Sequence, residues 1–324
     1  MTNFTTITGA EVPVAAQWLE RGECVAIPTE TVYGLAANAL DPAAVVKIFE
    51  VKNRPAFDPL IVHVPSVEAA ERLITEFPPA LRALAEHFWP GPLTLLLPKR
   101  ALIPDLVTSG LPRVAIRMPA HPLAPALRHA LPVPRAAPSA NPFGYISPTT
   151  ARHVHDQLNG KIPYILDGGP CSVGMESTIA GLEDGQLSVY RLGGISVEAL
   201  EQVAGPVRLA LNQSSNPAAP GMLKALYAPR KLMLLGDIPA LLAQQSGKKT
   251  GILNFRKQPP FPGAAVQLAL SETGDLAEAA QHLFAALRQL DAAEVEVILA
   301  EYAPEEGLGR AINDRLRRAA AKDT

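Results

Sequence analysis

Short apolar runs recur through the first two hundred residues, at Cys24–Pro28, Leu60–Val64, Leu93–Leu97, Val114–Met118, Tyr164–Leu166 and Leu187–Leu192. Each is strand-length, bounded by turn residues and separated from the next by a stretch with helical periodicity. This interleaving makes the class α/β. The helices carry start signals: Asp41 as N-cap and Pro42 at the first position of a helix reaching about Val51, a second helix after Ser66, and others after Pro79, Pro122, Thr149 and Ser196. Residues 211–229, LNQSSNPAAPGMLKALYAP, are rich in Asn, Ser, Pro and Gly and read as a linker. Beyond it Lys231–Leu235, Gly251–Phe255, Val266–Leu270 and Val295–Leu299 read as strands separated by helices in a small Rossmann-like unit. That unit lacks a glycine fingerprint, and the Gly-Leu-Gly of Gly307–Arg310 has no acidic residue downstream of the kind a dinucleotide site needs. No internal repeat is visible.

The 324 residues suffice for two domains and at least one large core. With 29 Lys and Arg against 31 Asp and Glu, the net charge of −2 excludes nucleic-acid binding driven by a global basic field, though not by a local face. Cys24 and Cys171 match neither a metal spacing nor a disulfide framework, which suits a reducing compartment. The first residues lack a secretory pattern and no run approaches a membrane span, so the expectation is a soluble cytoplasmic protein.

Chemistry is concentrated where apolar runs end. Pro28–Leu35, PTETVYGL, presents two hydroxyls, a carboxylate and a phenol beyond a buried strand, the place where open α/β sheets build sites; a strand-to-helix turn accounts for the same residues. Lys52 and Arg54 are two apart, and Pro55 biases Arg54 towards extended backbone, so both would face one side and grip a polyanion; a basic helix C-terminus is the plainer reading. Ser139 and Asn141 repeat that spacing, with Asn141 held extended by Pro142 and its amide free to face the same ligand, or else form a plain turn. Arg113, Arg117 and Arg191 lie in or beside apolar strands, where a charge needs a carboxylate or phosphate, and Arg113 with Arg117 would suit a bidentate clamp. His63 between Val62 and Val64 reads as a core histidine or a ligand contact, and Glu176-Ser177-Thr178 as a loop-to-strand entry. No Walker loop, zinc constellation or hydrolase elbow is present, so the inventory favours a triphosphate and a small polar substrate held by cations and hydroxyls over a protein nucleophile.

The ordered motifs PTETVYGL, KNRPAFDPLIVHV, RVAIRMPAHP, APSANPFG, SPTTA, GMESTI and YRLGG closely resemble the YrdC-like threonylcarbamoyl-AMP synthase family over about residues 8–200. The linker and the segment ending GLGRAINDRLRRAA resemble its two-domain form. The resemblance implies a YrdC-like twisted mixed sheet with helices around a concave site over residues 1–208, a linker or lid over 209–230, and a smaller Rossmann-like α/β domain over 231–324. It implies that L-threonine, bicarbonate and ATP yield threonylcarbamoyl-AMP and pyrophosphate, and that tRNA-modifying threonylcarbamoyl transferase proteins take the product onward. By position, Thr31, His63, Arg117, Ala137 and Ser177 match threonine contacts. Lys52, Arg54, Asp58, Arg113, Ser139, Asn141, Ser147, Arg191 and Tyr227 match ATP contacts, and Lys52, Arg54, Ser139 and Asn141 form the family's catalytic polar tetrad. Magnesium is expected on the triphosphate, with no metal ligand from the protein.

Several positions depart from the family pattern. Asp58 stands where Asn is usual, so either magnesium bridges it or its loop points away. Pro142 and Tyr145 replace residues that are often basic, and Ala219 and Leu226 stand where Ser and His are commoner. An alternative reading is an RNA-binding or ribosome-associated module without turnover, contacting tRNA through Arg310, Arg315, Arg317 and Arg318. Carbamoyl-adenylate chemistry of the hydrogenase-maturation kind is disfavoured, because no acylphosphatase-like or zinc-finger segment is present.

Overall fold

A computed structural model describes residues 4–211, 219–222 and 226–321. Its first strands are β1 (Ile7–Gly9), β2 (Val25–Ile27), β3 (Gly34–Asn38), β4 (Ile61–His63), β5 (Leu93–Pro98) and β6 (Arg113–Arg117). They are followed by β7 (Arg135–Ala136), β8 (Tyr164–Leu166), β9 (Thr178–Glu183), β10 (Gln186–Arg191) and β11 (Arg208–Leu209). These form one mixed sheet in the order β1-β8-β2-β3-β7-β4-β6-β5-β9-β10-β11. A second, wholly parallel sheet holds β12 (Leu232–Leu235), β13 (Thr250–Arg256), β14 (Ala264–Ser271) and β15 (Val297–Ala300) in the order β12-β15-β13-β14. The fold is therefore α/β with a large mixed sheet and a smaller parallel one. Pairing of β11 with β10 carries the first sheet to Leu209, into the segment read as linker, of which 212–218 and 223–225 lie outside the described residues.

Helix starts follow their caps. Asp41 accepts from Ala43 N at 2.9 Å and opens the helix Pro42–Lys52; Ser66, Thr150 and Ser196 cap Val67–Glu71, Ala151–Leu158 and Val197–Ala204 in the same way. Two sequence expectations are corrected. The octapeptide after β2 turns into the antiparallel strand β3 and not into a helix, because Thr29 Oγ1 gathers the Thr31 and Val32 amides and donates to Val32 O, reversing the chain at once. Between β13 and β14 no helix intervenes, since Pro259, Pro260 and Pro262 lie in that connection and remove the donors a helix needs.

Strand direction decides where the site lies. The carboxyl ends of β2, β4 and β6 meet the amino ends of β3, β5 and β9: His63 is in register with Arg117, Arg117 with Thr94, and Leu93 with Thr178. Beneath this edge a continuous apolar cluster runs from Leu35, Val62 and Leu95 through Tyr227 to Phe284, Leu287 and Leu316, so the two sheets' layers share one core. Among the described residues no helix is long and apolar enough to cross a membrane.

Candidate functional site

The octapeptide forms one wall of a cleft with about 740 Å³ of space, counting space open to solvent. Thr31 and Val32 line it. Thr29 commits its own proton to Val32 O at 2.6 Å, so in the 2.8 Å contact between the two hydroxyls Thr31 donates. Thr31 Oγ1 also accepts from Arg117 Nη1 at 2.8 Å, which leaves it a lone pair for an incoming donor. Glu30, which the sequence left without a role, pairs with Arg117 Nη2 at 2.6 Å and accepts from Ala120 N at 3.0 Å, anchoring that arginine. Tyr33 is structural: its hydroxyl donates to Gly169 O at 2.8 Å, and burial pushes its pKa above the usual range.

His63 lines the same wall, nearly fully buried, with Nδ1 lacking a partner. Burial first, then the positive charges of Arg117 and Arg135, hold its pKa well below the ordinary histidine value, so the ring is neutral. Ser177 Oγ lies 2.7 Å from Thr94 Oγ1 and accepts from Arg191 Nη2 at 3.0 Å. Ala137 completes this side, its amide donating to Ile61 O at 2.9 Å.

Lys52 and Arg54 reach the cavity by a different route from the one the spacing suggested. Lys52 ends its helix and Asn53 takes the left-handed conformation at φ 53°, so a turn and not an extended pair brings the two side chains round. Lys52 Nζ donates to Ser139 O and Asn141 O, each at 2.6 Å, which leaves its third proton unassigned. Burial, then Arg54, push the amine's pKa well below the lysine value, with Asp58 opposing. Arg54 donates to Asp58 O at 3.1 Å and Pro59 O at 2.8 Å and pairs with Asp58 Oδ2 at 2.9 Å. Asp58 therefore does not point away: its buried carboxylate lines the cavity and pairs with Arg54. Asn141 corrects a second expectation. Its amide nitrogen is committed to Pro142 O and Tyr145 O, both at 2.8 Å, and only the buried Oδ1 is left without a partner.

On the far side Arg191 donates to Ser177 O through Nε and Nη2, Ser147 Oγ donates to Glu176 Oε1 at 2.5 Å, and Tyr227, in a left-handed conformation at φ 65°, stacks on Phe284. Gly193 of the YRLGG motif lies so close to the Glu176–Thr178 backbone that an added Cβ would meet Glu176 O at 2.3 Å. Pro220, Gly221 and Leu226 of the linker also line the cavity. Every site residue named from the sequence lines it except Arg113. Arg113 sits at the opposite end of β6 from Arg117, paired with Pro98, and donates to Leu182 O and Tyr190 Oη, so the two arginines form no clamp.

Glu176 lines the cavity and the sequence reading underused it. Burial pushes its carboxyl up, but Arg315, Arg191 and the Ser147 and backbone hydrogen bonds together hold it below the ordinary range. Its position directly before Ser177 was the available signal. Arg315 and Arg318 had no local signal: they belong to the helix Gly309–Ala320, buried against Glu176, Asp314 and the Tyr227 ring. Arg310 pairs with Glu198 and Arg317 with Glu305, so the basic face proposed for RNA is turned inward or neutralised. Lys52, Arg54, Arg117 and Arg191 line the cavity with Asp58 and Glu176, an excess of positive charge suited to a polyanion. Both carboxylates are committed to arginines, and no group of three or more His, Cys, Asp or Glu among the described residues can hold a metal ion. Cys24 and Cys171 are free and buried, with pKa values pushed up to about 12 mainly by that burial, and are inert.

Two family models match the chain: one described as telomere recombination over residues 17–193, the other as the threonylcarbamoyl-AMP synthase C-terminal domain over 195–321. A threonylcarbamoyl-AMP synthase of Pyrococcus abyssi is 43% identical, covering 95% of this chain and 94% of the relative. One of Bacillus subtilis is 40% identical, covering 99% and 96%. The solved structure of P. abyssi Sua5 complexed with L-threonine superposes with a TM-score of 0.90 at 41% identity, covering 98% of this chain and 97% of that one.

Proposed function

The chain belongs to the threonylcarbamoyl-AMP synthase family, and we propose that it is an L-threonylcarbamoyladenylate synthase converting L-threonine, bicarbonate and ATP into threonylcarbamoyl-AMP and pyrophosphate. The observation that carries this reading is the single cavity in which residues from motifs more than a hundred positions apart in sequence combine an excess of cations with committed hydroxyls. Such a site positions and neutralises reactants and does not attack them.

In this reading L-threonine lies at the Thr31, His63, Arg117, Ala137 and Ser177 end. Arg117 meets its carboxylate, and the free lone pair of Thr31 and neutral His63 accept from its donors. The amine nitrogen attacks the bicarbonate carbon, water leaves, and a carboxylate oxygen of the resulting N-carboxythreonine attacks the α-phosphorus. The bond to the β-phosphate oxygen breaks and pyrophosphate departs. Lys52 and Arg54 stabilise the charge that develops on the phosphates, while Ser139, Asn141, Ser147, Arg191 and Tyr227 orient the nucleotide. Mg²⁺ accompanying ATP would neutralise part of the triphosphate charge beside Lys52 and Arg54. The linker's described residues Pro220, Gly221, Leu226 and Tyr227, which line the cavity, act as part of a lid over this site. The product passes to threonylcarbamoyl transferase proteins that modify tRNA, in the cytoplasm.

The test follows radiolabelled bicarbonate into an adenylate while pyrophosphate is measured. Formation should require both threonine and bicarbonate. Pyrophosphate release indifferent to either would refute the reading.

A further inference from the structure

Arg315 lies on the last helix, in the layer of the smaller sheet, yet it is completely buried behind the cavity wall. Its Nε donates to Glu176 Oε2 at 3.1 Å and its Nη1 to Asp314 Oδ2 at 2.7 Å, and its guanidinium lies 5.2 Å above the Tyr227 ring. The other Glu176 oxygen takes the Ser147 proton at 2.5 Å. Glu176, Ser147 and Tyr227 line the cavity and Arg315 does not. A serine whose proton is committed to a carboxylate presents only lone pairs to a ligand. Ser147 is therefore an acceptor for as long as Glu176 stays in place, and the partner that Glu176 draws from the last helix is Arg315.

We propose that Arg315 is a positioning residue of the active site: it holds Glu176, through Glu176 it fixes Ser147 as acceptor for a donor on the nucleoside part of ATP, and it seats Tyr227 against the same cavity. The proposal rests on the adenylate-forming reading and adds to it that the C-terminal layer supplies part of nucleoside recognition. A ribose hydroxyl or the adenine amine is the matching donor, whereas a triphosphate chain carries none.

Calorimetric titration of the full-length protein with ATP and, separately, with inorganic triphosphate tests this. Arg315→Met should weaken ATP binding about tenfold while inorganic triphosphate binding changes less than about twofold. Arg315→Lys should fall between native and Met. Because Arg315 acts through Glu176, the double variant Arg315→Met, Glu176→Gln should bind ATP no more weakly than Arg315→Met alone. If Arg315→Met does not fold, Glu176→Gln, which leaves no unpaired buried acid, must show the same selective loss. ATP affinity within about twofold of native, or equal losses for the two ligands, overturns the proposal alone. Failure of the unmodified protein to bind ATP overturns the functional reading as well.

Discussion

At the scale of single residues the site is a set of cations whose ordinary partners have been arranged in advance. Lys52 is held by two carbonyls and Arg54 by two carbonyls and Asp58, so both are fixed at the cavity before any ligand arrives, as the proposed reaction requires of groups that meet phosphate charge. Replacing either by Ala should lower turnover by about two orders of magnitude or more, by analogy with a lost oxyanion donor, and steady-state pyrophosphate assays would read this. Asp58→Asn should act the other way on affinity. It removes a negative charge from the wall proposed to hold the triphosphate and frees Arg54, so the ATP KM should fall severalfold; a rise would show that the ion pair is needed to aim the guanidinium. His63 sets a pH dependence. Its folded-state pKa lies well below its ordinary value of 6.5, as does that of His153, lowered to about 4 by burial and Arg288. The unfolded chain therefore binds protons first as pH falls, so stability is complete above about 6.5 and declines below it. Urea midpoints should be lower at pH 5 than at pH 7.5, and His63→Gln should remove part of that difference.

At the scale of elements, what matters is how each one ends. The helix Pro42–Lys52 stops at a left-handed Asn53 followed by Arg54-Pro55, and that stop aims two of the cavity's cations. Asn53→Ala should cost about 1 kcal/mol in chemical denaturation, because a Cβ without a local polar group is disfavoured there, whereas Asn53→Gly should be close to neutral. The Ala variant should also raise the ATP KM, since relaxing the turn moves Arg54. Strand ends repeat this logic: the same β6 that delivers Arg117 to the cavity carries Arg113 away from it, because a five-residue strand separates its ends by roughly 13 Å.

At the scale of the whole molecule the smaller sheet's helices are built into the larger sheet's site. Arg288 donates to Ile146 O and Ser147 O, Tyr145 donates to Asp291 at 2.7 Å, and Arg318 donates to Gly221 O at 2.7 Å. With a shared apolar core beneath these contacts, calorimetry should record one cooperative unfolding transition, and two resolved transitions would argue for independent halves. Gly174 permits this docking, since a Cβ there would fall 2.3 Å from Gln281 O in the backbone of the helix Leu276–Ala292. Gly174→Ala should therefore lower both melting temperature and ATP affinity although it touches neither ligand nor cavity. Much of this architecture was legible in the sequence. Apolar runs and proline and hydroxyl caps carry local chemistry that determined the class and most element starts, and the ordered motifs from PTETVYGL to YRLGG named the cavity's cations Lys52, Arg54, Arg117 and Arg191. Whatever depended on direction was decided by tertiary structure alone: which end of β6 faces the site, that the Asn141 amide is used by its own loop, that Asp58 finds Arg54, and that arginines on the last helix turn inward to Glu176 and Tyr227. A sequence specifies which groups are charged or polar, but a buried charge takes its meaning from the partner that desolvation forces on it. For Glu176 that partner is Arg315, 139 residues further along the chain.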